Sequence, residues 1–142
     1  MSATANTDTL NQAIDRFNAK DLDGFLEMYQ PSVMHHGFSR NIGPGLSGLR
    51  IFYRGLIAAF PDARIQTDDV VAEDEKLAHR YTFYGTHRGE YVGFPPTMKL
   101  VMFHGQVVHH FKDGKSMEVW ASTDVLRLLV QLGAPDPVAR RR

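Results

Sequence analysis

The hydrophobic period of this chain changes once, at about Pro61, and that change restricts the fold more than any single motif does. Before it, apolar residues recur at helical spacing: Leu10, Ala13, Ile14 and Phe17, then Leu22, Phe25, Leu26 and Tyr29, then Leu46, Leu49, Phe52, Leu56, Ile57 and Phe60. Thr7 or Asp8 is expected to cap the first helix and Asp21 the second, while Pro31 and Pro61 act as stops. A short apolar stretch, Ser32 to Phe38, separates the second helix from the third. After Pro61 the segments Arg64 to Asp74, Leu77 to His87, Met98 to Phe111 and Ser116 to Thr123 carry the β-branched and aromatic residues of strands. Asp113-Gly114 reads as a hairpin turn between the last two. Leu126, Leu129 and Val130 predict a short terminal helix closed by Gly133 and Pro135. Helices first and antiparallel strands afterwards define an α+β chain.

At 142 residues with 43% hydrophobic content, the chain has one core to bury, and a single domain over residues 1–142 is expected. Its core is expected over about residues 8–133, between a flexible N-terminus and an Arg140-Arg141-Arg142 tail. The absence of cysteine excludes disulfides, thiolate zinc sites and thiol nucleophiles. Sixteen basic residues balance sixteen acidic ones. The excess acid lies before Lys76 and the excess base after it, partly in the arginine tail. No Lys/Arg run is interleaved with aromatics, so no nucleic-acid partner is expected. No stretch reaches the roughly 18 to 20 apolar residues of a membrane helix, and Met1 to Leu10 lacks the regions of a signal peptide. A cytoplasmic chain with no membrane partner is the expectation.

Alternation sorts the strand residues by face. Phe103, Gly105, Val107, His109 and Phe111 share one face of the long strand, opposite His104, Gln106, Val108 and His110. On its partner Met117, Val119, Ala121 and Thr123 oppose Glu118, Trp120, Ser122 and Asp124. A curved sheet over helices turns one set into a pocket and leaves the other for solvent or a second subunit.

The element order resembles the cone-shaped NTF2-like fold, a mixed, mainly antiparallel sheet wrapped around N-terminal helices. Local strings resemble its SnoaL-like polyketide cyclase family: Ala59-Phe60-Pro61-Asp62, Gly85-Thr86-His87, Gly93-Phe94-Pro95-Pro96-Thr97, Asp113-Gly114-Lys115, Glu118-x-Trp120-x-x-x-Asp124 and Gln131-Leu132-Gly133. The resemblance implies intramolecular aldol cyclisation by one buried Asp, with no metal and no cofactor. It places that Asp directly after Trp120, where this chain has Ala121. Polar helpers of the family fall near Gly105 and Val107. Alanine has no proton to exchange, so the family's proton abstraction cannot run from this position.

Other residues are candidates for a relocated acid or base: His35 or His36, His109, Arg80 and Asp124. Adjacent histidines in a strand point to opposite faces, so only one of His35 and His36 can face a pocket; His109 shares the face of Val107. Asp124 reads first as the N-cap of the terminal helix. If the Arg80 face lines the pocket, Arg80 orients an acidic or carbonyl ligand and Tyr84 donates to a developing enolate. Phe103, Val107, Met117, Val119 and Ala121 are the expected lining, with Met98 and Met102 as pocket or core fillers. Trp120 is expected in a dimer-facing or core cluster. No His-x-His or Glu-x-x-His spacing occurs, and no metal site is expected.

Together with the resemblance, these features lead to the expectation of a homodimeric, cofactor-free cyclase or isomerase acting on a small apolar carbonyl or polyene substrate. It works either through a relocated acid/base or by templating a cyclisation such as a cycloaddition. The alternatives are a non-catalytic binding module on the same cone, and an epoxide-hydrolase-like enzyme, whose Asp-Arg-Asp set has no counterpart here.

Overall fold

A curved five-stranded sheet, in the order β1-β5-β4-β3-β2, packs its concave face on three helices. The computed structural model describes residues 2–39 and 41–138; Arg140, Arg141 and Arg142 lie outside them. The elements are α1 (Ala3–Asn18), α2 (Leu22–Leu26), β1 (Tyr29–His36), α3 (Gly45–Ala59), β2 (Arg64–Glu73), β3 (Lys76–Thr86), β4 (Leu100–Lys112), β5 (Lys115–Thr123) and α4 (Val125–Gln131). β1 runs parallel to β5 and every other pairing is antiparallel. This is the α+β class that the change of period implies, in the mixed cone that the resemblance implies.

Two boundaries differ from the sequence expectation, each for a local reason. α1 begins before its apolar stripe because Ser2 caps it, accepting from the Ala5 amide at 3.1 Å, so Thr7 and Asp8 lie inside the helix. α2 ends at Leu26 and Tyr29 already opens β1, with Pro31 inside that strand. A proline is tolerated there because β1 is an edge strand, paired on one side alone. Asp21 caps α2 as expected, accepting from the Gly24 amide at 2.9 Å.

Register then fixes what each face carries. On the concave face, Tyr81, Gly105 and Thr123 form one row across β3, β4 and β5, and His79, Val107 and Ala121 form the next. Leu77, His109, Val119 and His35 form a third. Register shifts interrupt the alternation at Asp68 on β2, at Met117 on β5 and between Tyr29 and Met34 on β1. The second changes the parity of β5: Ser116, fully buried, turns inward beside His109, and Met117 loses the inward place that simple alternation assigns to it.

The convex face carries a row of five residues, Val71, Ala78, Val108, Trp120 and His36, one from each strand. Val71 is 65% exposed, Val108 39% and Trp120 36%. Trp120 is stacked on His36 and edge-on to His110, and His36 Nε2 meets Glu118 Oε2 at 2.7 Å. Met98 and Met102 are exposed as well, so they fill neither core nor pocket. No helix of the described residues is long and apolar enough to cross a membrane.

Candidate functional site

Between the concave face and the helices lies a cavity of about 270 Å³, close to the lower end of ligand pockets at roughly 300 Å³. Leu10 and Ile14 of α1, Phe25 of α2, and Phe52, Tyr53 and Leu56 of α3 form its roof. Phe83, Phe103, Val107 and Ala121 form the apolar part of its floor, and Val125 and Leu128 of α4 close one end. These helices face the cavity because their apolar stripes must be buried against the sheet. The loop after β3 adds Tyr91, held by paired backbone bonds with Phe94; nearby, the Thr97 amide donates to the buried His87 Nδ1 at 3.2 Å.

The polar lining consists of hydroxyls and imidazoles. Tyr29, Tyr53, Tyr81, Tyr91, His79, His109, Thr123 and Ser39 supply it, and among the described residues no Asp, Glu, Lys or Arg lines the cavity. Burial keeps each titratable group in its neutral form. Desolvation pulls His79 down to about 4, against the opposing pull of Asp68. It pulls His109 down to about 3, helped by His79 nearby. Desolvation likewise raises the Tyr29, Tyr53, Tyr81 and Tyr91 phenols above their ordinary value.

Polar partners, some outside the cavity and some lining it, contact these groups. His109 Nδ1 pairs with Ser116 Oγ at 2.8 Å, and His79 Nε2 with Thr67 Oγ1 at 3.0 Å. The Tyr53 and Tyr29 hydroxyls interact with each other. Tyr81 Oη stands 3.4 Å from Thr123 Oγ1. The site therefore offers fixed, uncharged donors and acceptors on an apolar floor. It suits a neutral ligand with few polar atoms.

Four residues expected in the site line the cavity: His109, Phe103, Val107 and Ala121. The others do not. His35 turns away, its Nε2 at 3.0 Å from the Gly43 carbonyl and its ring edge-on to Phe38. His36 lies on the convex face with Trp120. Arg80 and Tyr84 are also convex, because β3 turns His79, Tyr81 and Phe83 inward; Arg80 Nη1 lies 3.9 Å from Asp68 Oδ2. Asp124 caps α4, accepting from the Arg127 amide at 3.0 Å. Val119 is fully buried in the core below the cavity, and the bulge removes Met117 from it. Sequence reasoning passed over Tyr29, Tyr53, His79, Tyr81 and Thr123. For β3 the signal was present: the convex parity carries Lys76 and Arg80 and the concave one Leu77 and Phe83.

The model of the SnoaL-like polyketide cyclase family matches residues 7–132. The chain belongs to that family. Aklanonic acid methyl ester cyclase AcmA of Streptomyces galilaeus is 27% identical over 138 residues, covering 94% of both chains. Among solved structures, AclR of Streptomyces galilaeus, a proposed hydroxylase, is 28% identical with a TM-score of 0.86, over 98% of this chain and 87% of its own. IdmH of Streptomyces antibioticus, a proposed polyketide cyclase, is also 28% identical, with a TM-score of 0.76 over 91% of this chain and 99% of its own. Relatives on one SnoaL-like scaffold thus carry names from different reaction classes, and the reaction has to be argued from the lining of each cavity.

The buried imidazoles generate a prediction about stability. A histidine whose folded pKa is depressed binds its proton more readily in the unfolded chain. Its neutral form costs nothing above the unfolded value, about 6.5, and stability falls as pH drops from there toward the folded values of about 4 and about 3. Two carboxylates act at lower pH. Desolvation raises Asp62, but the Thr86 hydrogen bonds lower it more; hydrogen bonds from Thr82 and Gln66 lower Asp68. Urea unfolding between pH 7.5 and 4.5 should show stability decreasing as pH falls, and His109→Gln should have a shallower slope. Equal slopes for the two proteins would contradict the assignment.

Proposed function

We propose that this protein is a cofactor-free cyclase- or isomerase-type enzyme that folds a neutral, polyketide-like small molecule into a reactive shape inside an uncharged pocket. The observation that carries this reading is the lining: the described residues put hydroxyls, neutral imidazoles and apolar groups around the ligand, and no ionised side chain. Ala121 stands where the family resemblance calls for a catalytic Asp. Its row neighbours, Val107 and His79, supply no carboxylate in its place.

A pocket of this kind favours ring closure without proton transfer. In a cycloaddition two carbon–carbon σ bonds replace two π bonds, and no proton or electron pair leaves the substrate. Holding the reacting ends together lowers such a barrier by about 7–11 kcal/mol in the best cases. Phe83, Phe103, Val107 and Ala121 serve as the shaping wall, and the tyrosine hydroxyls fix the polar atoms of the substrate. A step needing a base would fall to His109 or His79, which burial makes weak ones.

The reading is tested with purified protein and a linear polyene ketone as precursor. We expect cyclised product above the uncatalysed background, at a rate constant that stays level from about pH 5.5 to 9, because the imidazoles titrate below this window and the phenols above it. Saturable binding with no product above background would leave a binding module and remove the enzyme. A bell-shaped profile centred near pH 7 would replace templating by acid/base chemistry.

We further propose that the convex face pairs with a second copy of the chain. The exposed row Val71, Ala78, Val108 and Trp120 is flanked by Glu73, Lys76, His110 and Glu118 on one side and by Asp69, Arg80, Gln106 and Ser122 on the other. Charges of both signs along each flank allow a two-fold pairing to match opposite charges around the apolar row. Sedimentation equilibrium should give twice the 16.0 kDa chain mass, and Trp120→Glu should halve it. A monomeric wild-type protein would exclude this pairing.

A further inference from the structure

The row Tyr81, Gly105, Thr123 crosses three strands beside the row that holds Val107 and Ala121. Position 105 is one of those at which the family resemblance calls for a polar helper, and this chain offers no side chain there. The space is nonetheless filled. A Cβ on Gly105 would overlap the hydroxyl and ring edge of Tyr81, so the phenol lies across β4 only because residue 105 is glycine. It reaches Thr123 on the far strand and tilts its ring against His79, with centroids 5.5 Å apart.

Either hydroxyl can donate across the 3.4 Å contact between Tyr81 Oη and Thr123 Oγ1; with Thr123 as the donor, the Tyr81 proton is free for the cavity. The Tyr53 and Tyr29 hydroxyls interact with each other. Tyr29 is registered with Ser116, well along the sheet from Ala121. His79 and His109 each have a ring nitrogen tied to a hydroxyl outside the cavity.

We propose that Tyr81 Oη donates a hydrogen bond to a carbonyl of the bound molecule and so orients it on the Val107 and Ala121 floor. Gly105 is the positioning residue that makes room for the phenol. The inference rests on the reading of the cavity as a site for a neutral polyketide-like ligand, and it narrows that ligand to one bearing a ketone, ester or similar carbonyl. When the carbonyl is conjugated to the alkene that closes the ring, this hydrogen bond withdraws electron density from the alkene and speeds closure with no proton transferred.

The test uses two flat probes that differ in a carbonyl, 9-fluorenone and fluorene, on the full chain. Binding is read by fluorescence titration, and the carbonyl of bound fluorenone by its infrared stretch. Tyr81→Phe should weaken fluorenone by roughly two- to twelvefold, the range for one neutral hydrogen bond. It should shift the stretch to higher wavenumber and leave fluorene unchanged. Gly105→Ala, which forces the phenol into the cavity, should weaken both probes. A fluorenone affinity and stretch that do not respond to Tyr81→Phe would overturn the inference while leaving the pocket reading intact. So would a shift lost in Tyr53→Phe and kept in Tyr81→Phe. Failure of both probes to bind the wild-type protein would overturn the pocket reading itself, and the role of Tyr81 with it.

Discussion

Closing the concave face of the sheet over α1, α2 and α3 removes the polar groups between them from water, and the cost of ionising in that interior sets what the pocket can be. A charged side chain there would need a partner or would give up its charge. The imidazoles of this chain take the second course: the described lining residues carry hydroxyls, and imidazoles that burial keeps neutral across the ordinary pH range. Each imidazole is steered by a hydroxyl outside the cavity, His109 by Ser116 and His79 by Thr67. Their directions are therefore built into the scaffold and need no rearrangement when a ligand enters. Neutral polar groups are cheap to bury once paired, which leaves the floor free to be apolar and shaped.

Strand register converts this constraint into a site. Three consecutive rows across β3, β4 and β5 hold, in turn, Tyr81 with Thr123, Val107 with Ala121, and His109 with Val119. Polar groups thus frame an apolar strip. Positions 105, 107 and 121 are bare or apolar, while Tyr81, from the neighbouring strand β3, lies over Gly105. AcmA is named a cyclase and AclR a proposed hydroxylase. Redistribution of polar groups within a constant cone is a physical way for one family to reach different chemistry.

Much of the architecture was legible in the sequence because it depends on period alone. The change at Pro61 marks where helices give way to strands, and Asp21 and Asp113-Gly114 mark ends and turns that depend on local chemistry. The alternation of β4 separates His109 and Val107 from His110 and Val108 correctly, since no bulge lies between Phe103 and His110. What escaped were features that alternation cannot carry. The bulge at Met117 shifts parity by one residue, so Ser116 in place of Met117 turns inward. The edge position of β1 decides that Pro31 sits in a strand, and that depends on tertiary pairing. Tyr29 and Tyr53 fit a helical stripe as ordinary core residues, and only the fold brings their hydroxyls together.

With His79 and His109 held neutral, the described lining of the cavity carries no charge at neutral pH. Nitrogen-15 NMR of ¹⁵N-labelled histidine side chains in the intact protein tests it most directly, because protonated and neutral imidazoles have separate shifts and the neutral tautomers are distinguishable. His79 and His109, assigned through His79→Gln and His109→Gln, should remain single neutral tautomers from pH 8 down to about 5, well above their depressed values of about 4 and about 3. Titration of either ring near pH 6.5 would place a cation in the cavity and contradict the account.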